Sequence, residues 1–209
     1  MLPDLAHLIL FMAATIILNL IPGSDVLFIG SQAVVNKKQG IFAVIGTSTG
    51  VIIWIGFTVI GLTEILHHSI WLFNLVKFAG AAYLLYLAWQ AFFLADDKIH
   101  LNKAYNETRL KTFCKGILVN LSNPKVGLFF VTFLPQFVNQ SRGFIWLQLL
   151  SLGICFITSG TIVNLAYALL FASVKDKFLK HLGFRKILNK LTGIIFLGLA
   201  IKIATAHNS

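Results

Sequence analysis

The sequence predicts an all-α integral membrane protein whose six transmembrane helices form two inverted three-helix repeats, with broken first and fourth helices. Three observations support this fold class. The 209 residues are 57% hydrophobic and only 11% charged, and the mean hydropathy is +0.85, which is too apolar for a water-soluble surface of this size. The apolar residues form six long runs, and Lys and Arg alternate between the connecting loops. Two of the runs contain a central proline.

Each apolar run is long enough to cross a membrane, because a spanning helix needs about 20 largely apolar residues. The predicted spans are about 5–35, 40–65, 70–94, 114–138, 144–172 and 187–205. They fill the chain, so we expect one transmembrane domain, 1–209, with halves of about 1–95 and 112–206 and a cytoplasmic connector of about 95–113. No polar stretch remains for a soluble enzyme or a nucleic-acid-binding domain.

The basic residues predict the orientation of the chain. Lys37 and Lys38 lie in the first loop, five cations lie in the third and six lie in or beside the fifth. The second loop has none, and Arg142 alone marks the fourth. Cytoplasmic loops of membrane proteins are rich in Lys and Arg, so we expect loops one, three and five inside and both termini outside. The formal charge of +10 therefore indicates membrane topology rather than binding to nucleic acid.

Prolines are expected to break the first and fourth helices. The first run would reach about 46 Å as one helix, against a hydrocarbon core of about 30 Å. Pro22 lacks an N–H, frees the carbonyl of Leu18 and is followed by the permissive Gly23. In the fourth run, Pro124 likewise frees the carbonyl of Asn120.

Two weak internal matches suggest a repeat of three helices. Pro22–Ile29 aligns with Pro124–Val131 at an offset of 102, and Lys77–Leu84 aligns with Lys190–Leu197 at an offset of 113. Because each half has an odd number of helices, the second half would enter the membrane from the opposite side. The alternative is that apolar sequences align by chance.

The two breaks should meet at one depth and form a binding site. The half-helix that follows each break has unpaired N–H groups with partial positive charge, Lys125 adds a full charge, and Asp25 is the one carboxylate placed deep within a span. Such a site suits a zwitterion, so we expect a small amino-acid-like substrate. The candidate substrate-binding residues are Asn19, Pro22, Gly23, Ser24, Asp25, Asn120, Asn123, Pro124 and Lys125.

Asp25 is also the candidate for proton coupling, because burial disfavours its charged form. Two structural alternatives stay open: an Asp25–Lys125 ion pair that ties the halves together, or Asp25 as the N-cap of the second half-helix with help from Ser24. Asn19, Asn120 and Asn123 could instead satisfy backbone groups near the prolines.

The spans lack the groups that enzymes and metal centres need. With one deep carboxylate, no deep histidine and two distant cysteines, Cys114 and Cys155, we expect no catalytic residue, no metal and no cofactor. Segments Gly46–Gly50 and Ser159–Thr161 offer small faces for helix packing, within the chain or in a homo-oligomer. A passive channel is the main alternative to a carrier, since broken helices also build pores.

The chain resembles the LysE/RhtB family of bacterial amino-acid exporters, within its homoserine, threonine and leucine exporter branch. The motifs that carry the likeness are Pro22-Gly23-Ser24-Asp25, Lys77-x-x-Gly80-Ala81-Ala82-Tyr83-Leu84-Leu85-Tyr86-Leu87, Gly116-x-x-x-Asn120-Leu121-x-Asn123-Pro124-Lys125 and Phe133-Leu134-Pro135-Gln136-Phe137. Ser24 stands where the family typically has a second proline. The resemblance implies export of an amino acid or a derivative across the bacterial cytoplasmic membrane, coupled to protons. Membrane lipid is then a partner, and export of a non-amino-acid small solute is the further alternative.

Overall fold

The computed structural model describes residues 5–62 and 107–174, and beyond them single positions at 75, 78, 82, 85, 86, 88, 89, 194, 197, 198 and 201. The predicted third and sixth spans, about 70–94 and 187–205, therefore lie largely outside the described residues. So do both termini, most of the connector and the match between Lys77–Leu84 and Lys190–Leu197.

All regular secondary structure in the two described stretches is helical. It comprises α1 (Leu5–Leu20), α2 (Ser24–Val35), α3 (Lys37–Phe57), α4 (Arg109–Leu121), α5 (Pro124–Leu128) and α6 (Ile145–Val174). A π-helical turn, Thr58–Leu62, continues α3, and α5 continues through a π-helical turn, Phe129–Phe133, and a 3-10 turn, Leu134–Phe137. A short 3-10 turn, Gln140–Arg142, precedes α6. The prediction of an all-helical protein is confirmed for these residues.

Two described helices are long and apolar enough to cross a membrane alone, Lys37–Gly61 and Ile145–Ser173. They correspond to the predicted spans at 40–65 and 144–172. Two bent pairs meet the same test when each pair is taken together. Leu8–Leu20 and Ser24–Val35 meet at 49°, and Arg109–Leu121 and Pro124–Phe137 meet at 51°.

Helix boundaries near the charged loops differ from the expected ones. A single residue, Asn36, separates α2 from α3, and its side chain accepts a hydrogen bond from the amide of Lys38 at 2.8 Å. Helix α4 begins at Arg109, inside the predicted connector, because Thr108 is extended and accepts from the amide of Lys111. Arg109 and Lys111 thus belong to the first turn of a helix rather than to a loop.

Hydrogen bonds and ion pairs join the start of α4 to α3. Gln39 donates from Nε2 to the carbonyl of Glu107 and accepts from Thr112 Oγ1 at 2.7 Å. The Glu107 carboxylate contacts Lys115 Nζ at 2.6 Å and Lys111 Nζ at 3.5 Å. The hydrogen bond from Lys115 holds the pKa of Glu107 below its usual value. The basic ends of α3 and α4 therefore lie on the same side of the helix bundle.

Glycines allow α3 and α4 to pack closely. A Cβ atom on Gly46 would lie 2.3 Å from the carbonyl oxygen of Phe113, and one on Gly116 would lie 2.9 Å from that of Ala43. On α6, a Cβ atom on Gly160 would lie 3.3 Å from Asn19 Oδ1 of α1. The prediction that these small residues serve helix packing is confirmed, and the contacts are within one chain.

Two apolar clusters hold the bent pairs in place. The larger one packs aromatic rings from α1, α6 and the continuation of α5, with Phe129 and Phe156 centroids 4.6 Å apart and Phe11 and Phe137 centroids 5.2 Å apart. The smaller one packs α2 between α3 and α6, around the fully buried Ile29. The two halves of the first bent pair are thus anchored in different clusters, and the break lies between them.

Candidate functional site

The first break lies between α1 and α2, and the second lies between α4 and α5. At the first break, the carbonyl end of α1 contacts a lysine that belongs to the second break. Pro22 cannot donate to Leu18, as the sequence predicts, and Lys125 Nζ donates to the carbonyls of Leu18 at 3.2 Å and Ile21 at 2.8 Å. The Ile21 amide also donates to Leu18 at 3.2 Å. A cation is favoured there because the last carbonyls of a helix carry partial negative charge. The carbonyl of Leu18, which the sequence predicts to be freed, is thus bound by Lys125.

Gly23 lets the two breaks touch. It is the N-cap of α2, with an extended backbone, and no side chain caps this helix. A Cβ atom on Gly23 would lie 3.2 Å from both Cε and Nζ of Lys125 and 3.6 Å from Nδ2 of Asn123. The space that a larger residue would fill is thus used by the lysine.

The second break is organised by Asn123 and Pro124. Asn123 is the N-cap of α5, since its Oδ1 accepts from the amide of Lys125 at 3.0 Å, and Pro124 occupies the first turn, where a missing N–H has no cost. The carbonyl of Asn120 is not left open, because the Asn123 amide donates to it at 3.0 Å. The regular part of α5 has five residues, and the helix continues through the π-helical and 3-10 turns to Phe137.

Asp25 is held by an amide from the other break. It lies in the first turn of α2, with only 7% of its surface exposed, and its Oδ2 accepts from Asn120 Nδ2 at 2.7 Å. Asn120 is fully buried. Its own neighbour on α3 is Gly50, where a Cβ atom would lie 2.7 Å from Asn120 Oδ1. Side chains 95 residues apart therefore meet.

The structure contradicts both structural alternatives for Asp25. The N-cap of α2 is Gly23, and neither Ser24 nor Asp25 caps the helix. Among the described residues, ion pairs within 4.0 Å join Glu107 to Lys111 and Lys115, and none joins Asp25 to Lys125. The two deep charges are each held by uncharged groups.

Three polar atoms near the breaks are buried without a hydrogen-bond partner. Two are acceptors, Asp25 Oδ1 and Asn120 Oδ1, and one is a donor, Asn123 Nδ2. Each such atom costs about 1–3 kcal/mol when it stays unpaired. The arrangement can therefore accept from an ammonium and donate to a carboxylate.

A small cavity of about 20 Å³ lies beside these groups. Among the candidates, Asn19, Asp25 and Lys125 line it, and α3 and α6 contribute further walls. Asn19 turns towards α6 and donates from Nδ2 to Ser159 Oγ at 3.1 Å. The volume is close to what one ordered water needs, so an amino acid fits only if the walls separate.

The other candidates do not line the cavity. Asn120 and Asn123 are buried, Ser24 and Pro124 are exposed, and Pro22 and Gly23 lie between α1 and α2. Sequence reasoning missed three polar cavity residues, Ser48, Thr161 and Asn164. All three are polar residues in the middle of a predicted span. From the sequence alone, such residues can equally serve helix packing. Within 5–62 and 107–174, no three His, Cys, Asp or Glu side chains group as metal ligands.

Comparison with known proteins identifies relatives for nearly the whole chain. A family model described as LysE type translocator matches residues 16–207. A Bacillus subtilis protein named uncharacterized membrane protein YrhP is 31% identical over 196 residues, which cover 88% of this chain and 91% of that protein. No solved structure matches.

Two further relatives have names that state a substrate. The homoserine/homoserine lactone efflux protein of Salmonella typhimurium is 30% identical over 200 residues, 95% of this chain and 96% of that protein. The threonine efflux protein of Escherichia coli is 31% identical over 127 residues, 58% of this chain and 62% of that protein.

Proposed function

This chain belongs to the LysE family of translocators, and from that membership we propose that it exports an amino acid or a close derivative across the bacterial cytoplasmic membrane, coupled to protons. Family membership makes it a membrane transporter and not an enzyme. The observation that carries the proposal is the group of unpartnered polar atoms around Asp25, next to Lys125 and the uncapped start of α2.

The two ends of a zwitterion would find different partners at this site. Asp25 Oδ1 and Asn120 Oδ1 would accept from the ammonium. Asn123 Nδ2, the Lys125 charge and the uncapped amides at the start of α2 would attract the carboxylate. Threonine and homoserine, the substrates in the names of two relatives, are zwitterions of this kind.

The inverted repeat remains part of the proposal, and two contacts support it. Residues related by a two-fold axis touch each other only near that axis. Gly23 and Lys125 are separated by the offset of 102 from the first internal match and pack together. Ser48 and Thr161 are separated by 113, the offset of the second match, and their hydroxyl groups are 2.8 Å apart. Both contacts lie beside the cavity, where the axis of an inverted repeat would pass.

Proton coupling is assigned to Asp25. Asp25 is buried and its hydrogen-bond partner is the neutral Asn120, so this proposal has a proton and the substrate ammonium alternate on the carboxylate. Because the cavity is smaller than an amino acid, we expect the walls to separate in each cycle, with movement at the bends between α1 and α2 and between α4 and α5.

Efflux from cells preloaded with labelled amino acids tests the proposal. The intact protein should accelerate loss of one amino-acid class, and a protonophore should abolish the gain. Lys125→Ala and Asp25→Asn should each lower the rate by about tenfold or more, since each removes a charged partner. Lys115→Ala, which removes a lysine outside the site on α4, is the matched control.

The alternatives predict different results. Normal transport by Asp25→Asn with an unchanged pH profile would exclude Asp25 as the proton carrier. Efflux that never proceeds against a substrate gradient would indicate a passive channel. No accelerated loss of any amino acid, with the protein correctly inserted, would indicate another small solute.

A further inference from the structure

Two hydroxyl groups of the cavity wall hydrogen-bond to each other. Ser48 Oγ on α3 and Thr161 Oγ1 on α6 lie 2.8 Å apart, and either atom can be the donor. Both residues are partly buried and line the same cavity as Asp25 and Lys125. Asn164 lines it as well, one turn along α6 from Thr161 and on the same helix face.

Neighbouring hydroxyl groups on the same two helices behave differently. Thr49 donates to the carbonyl of Ile45 at 2.9 Å, and Thr158 donates to that of Ile154 at 2.8 Å. This bond to the preceding turn is the usual way for a helix to satisfy Ser or Thr. Ser48 and Thr161 instead bond to each other across the cavity wall. A polar group that enters between them can replace this bond and pair with both hydroxyl groups.

We propose that Ser48 and Thr161, assisted by Asn164, form the subsite that recognises a hydroxyl group on the substrate side chain. The inference rests on the proposed export of amino acids and names the class within it: neutral hydroxylated amino acids. Among the described residues that line the cavity, Asp25 and Lys125 carry the charges, and both are used by the ammonium and carboxylate. A cationic or anionic side chain would then lack a partner.

The hydrogen-bond capacity of Ser48 and Thr161 explains how they would favour a hydroxylated side chain over an aliphatic one. In the closed cavity the two hydroxyl groups satisfy each other, so neither is left unpaired. When a substrate hydroxyl enters, it can accept from one and donate to the other, because each hydroxyl is both donor and acceptor. An aliphatic side chain of equal size would separate the pair and offer neither hydroxyl a new partner, which a polar site penalises. Apolar walls from Val51, Phe156 and Ile157 surround the carbon chain.

Competition between isosteric substrates tests the subsite. Threonine with valine, and homoserine with norvaline, differ by a hydroxyl group in place of a methyl group. Initial efflux rates of each pair are compared for the intact protein, Ser48→Ala, Thr161→Val and the conservative Thr161→Ser. Thr49→Val and Thr158→Val are matched controls, because they remove hydroxyl groups from the same helices outside the cavity.

The intact protein should prefer the hydroxylated member of each pair. Ser48→Ala and Thr161→Val should each reduce that preference by about tenfold, the worth of one neutral hydrogen bond, while Thr161→Ser and both controls keep it. Ser48→Ala and Thr161→Val are measured separately, so that one variant still tests the subsite if the other does not insert into the membrane.

The outcomes separate this inference from the export proposal. An unchanged preference in Ser48→Ala and Thr161→Val, or no preference in the intact protein, would overturn the subsite and leave export intact. A lower rate for all four substrates with an unchanged ratio would assign the pair to helix packing. If the intact protein transports none of the four, the hydroxyl subsite fails, and the wider amino-acid panel then decides whether export fails with it.

Discussion

Asp25 and Lys125 line one cavity without forming an ion pair with each other. A charge within the membrane costs several kcal/mol unless it is solvated or paired. Lys125 reduces this cost by bonding to the carbonyl end of α1, and Asp25 does so through Asn120. Because neutral groups hold both charges, a zwitterion can engage each charge without first separating a buried ion pair.

Gly23→Ala should impair transport, because it displaces the Lys125 side chain. The new Cβ would lie 3.2 Å from Cε and Nζ of Lys125, the flexible end of a side chain, which can move aside but then loses its carbonyl partners. We expect the initial efflux rate to fall by about tenfold, as for one charge-assisted hydrogen bond.

Gly56→Ala is the matched control for this change, because a Cβ atom there meets nothing within 4 Å. Equal efflux by the two variants would mean that the close approach of Lys125 to Gly23 has no part in transport.

At the scale of elements, the bent pairs and the α3–α4 contact have different roles. The bends of 49° and 51° lie at the breaks, where backbone hydrogen bonds are missing and a change of angle is least costly. Helices α3 and α4 instead meet through Gly46 and Gly116, with backbone against backbone. We therefore expect motion at the breaks and a fixed contact between α3 and α4.

Gly46→Ala should destabilise the fold through this contact. The added methyl group would lie 2.3 Å from the carbonyl oxygen of Phe113, and backbone cannot move aside as a side-chain tip does. We expect a loss of about 1–3 kcal/mol in the free energy of unfolding, the usual cost of overpacking. Unfolding in a fixed detergent, followed by tryptophan fluorescence, measures it.

Gly56→Ala on the same helix is again the control, because it adds the same group in open space. If both variants unfold at the same denaturant concentration, the α3–α4 contact can widen without cost, and it would not be the fixed part of the bundle.

At the scale of the whole molecule, the described basic residues at the starts of α3 and α4 lie on one side of the bundle. Lys37 and Lys38 are the first two residues of α3, and the start of α4 is tied to the start of α3 by Gln39. The Arg109 guanidinium also lies 5.7 Å from the ring centroid of Phe42 on α3. We therefore predict, from the positive-inside rule, that these cations face the cytoplasm.

Thiol labelling tests this orientation. In a background without Cys114 and Cys155, Ser141→Cys should react with a membrane-impermeant reagent in intact cells, whereas Lys38→Cys should react only after permeabilisation. Both side chains are exposed, so access depends on the side of the membrane. The reverse pattern would overturn the predicted orientation, and labelling of both from one side would contradict an odd number of crossings between them.

The sequence by itself determined the features that depend on composition and on neighbouring residues. Its apolar content indicates a membrane protein, Pro22 and Pro124 mark the breaks because a missing N–H acts within one turn, and the ordered motifs identify the family. The tertiary structure alone decided the contacts between distant residues: Lys125 with the end of α1, Asn120 with Asp25, and Ser48 with Thr161. In a membrane helix, lipid-facing and protein-facing residues are both apolar, so hydrophobic periodicity does not reveal which face turns inward.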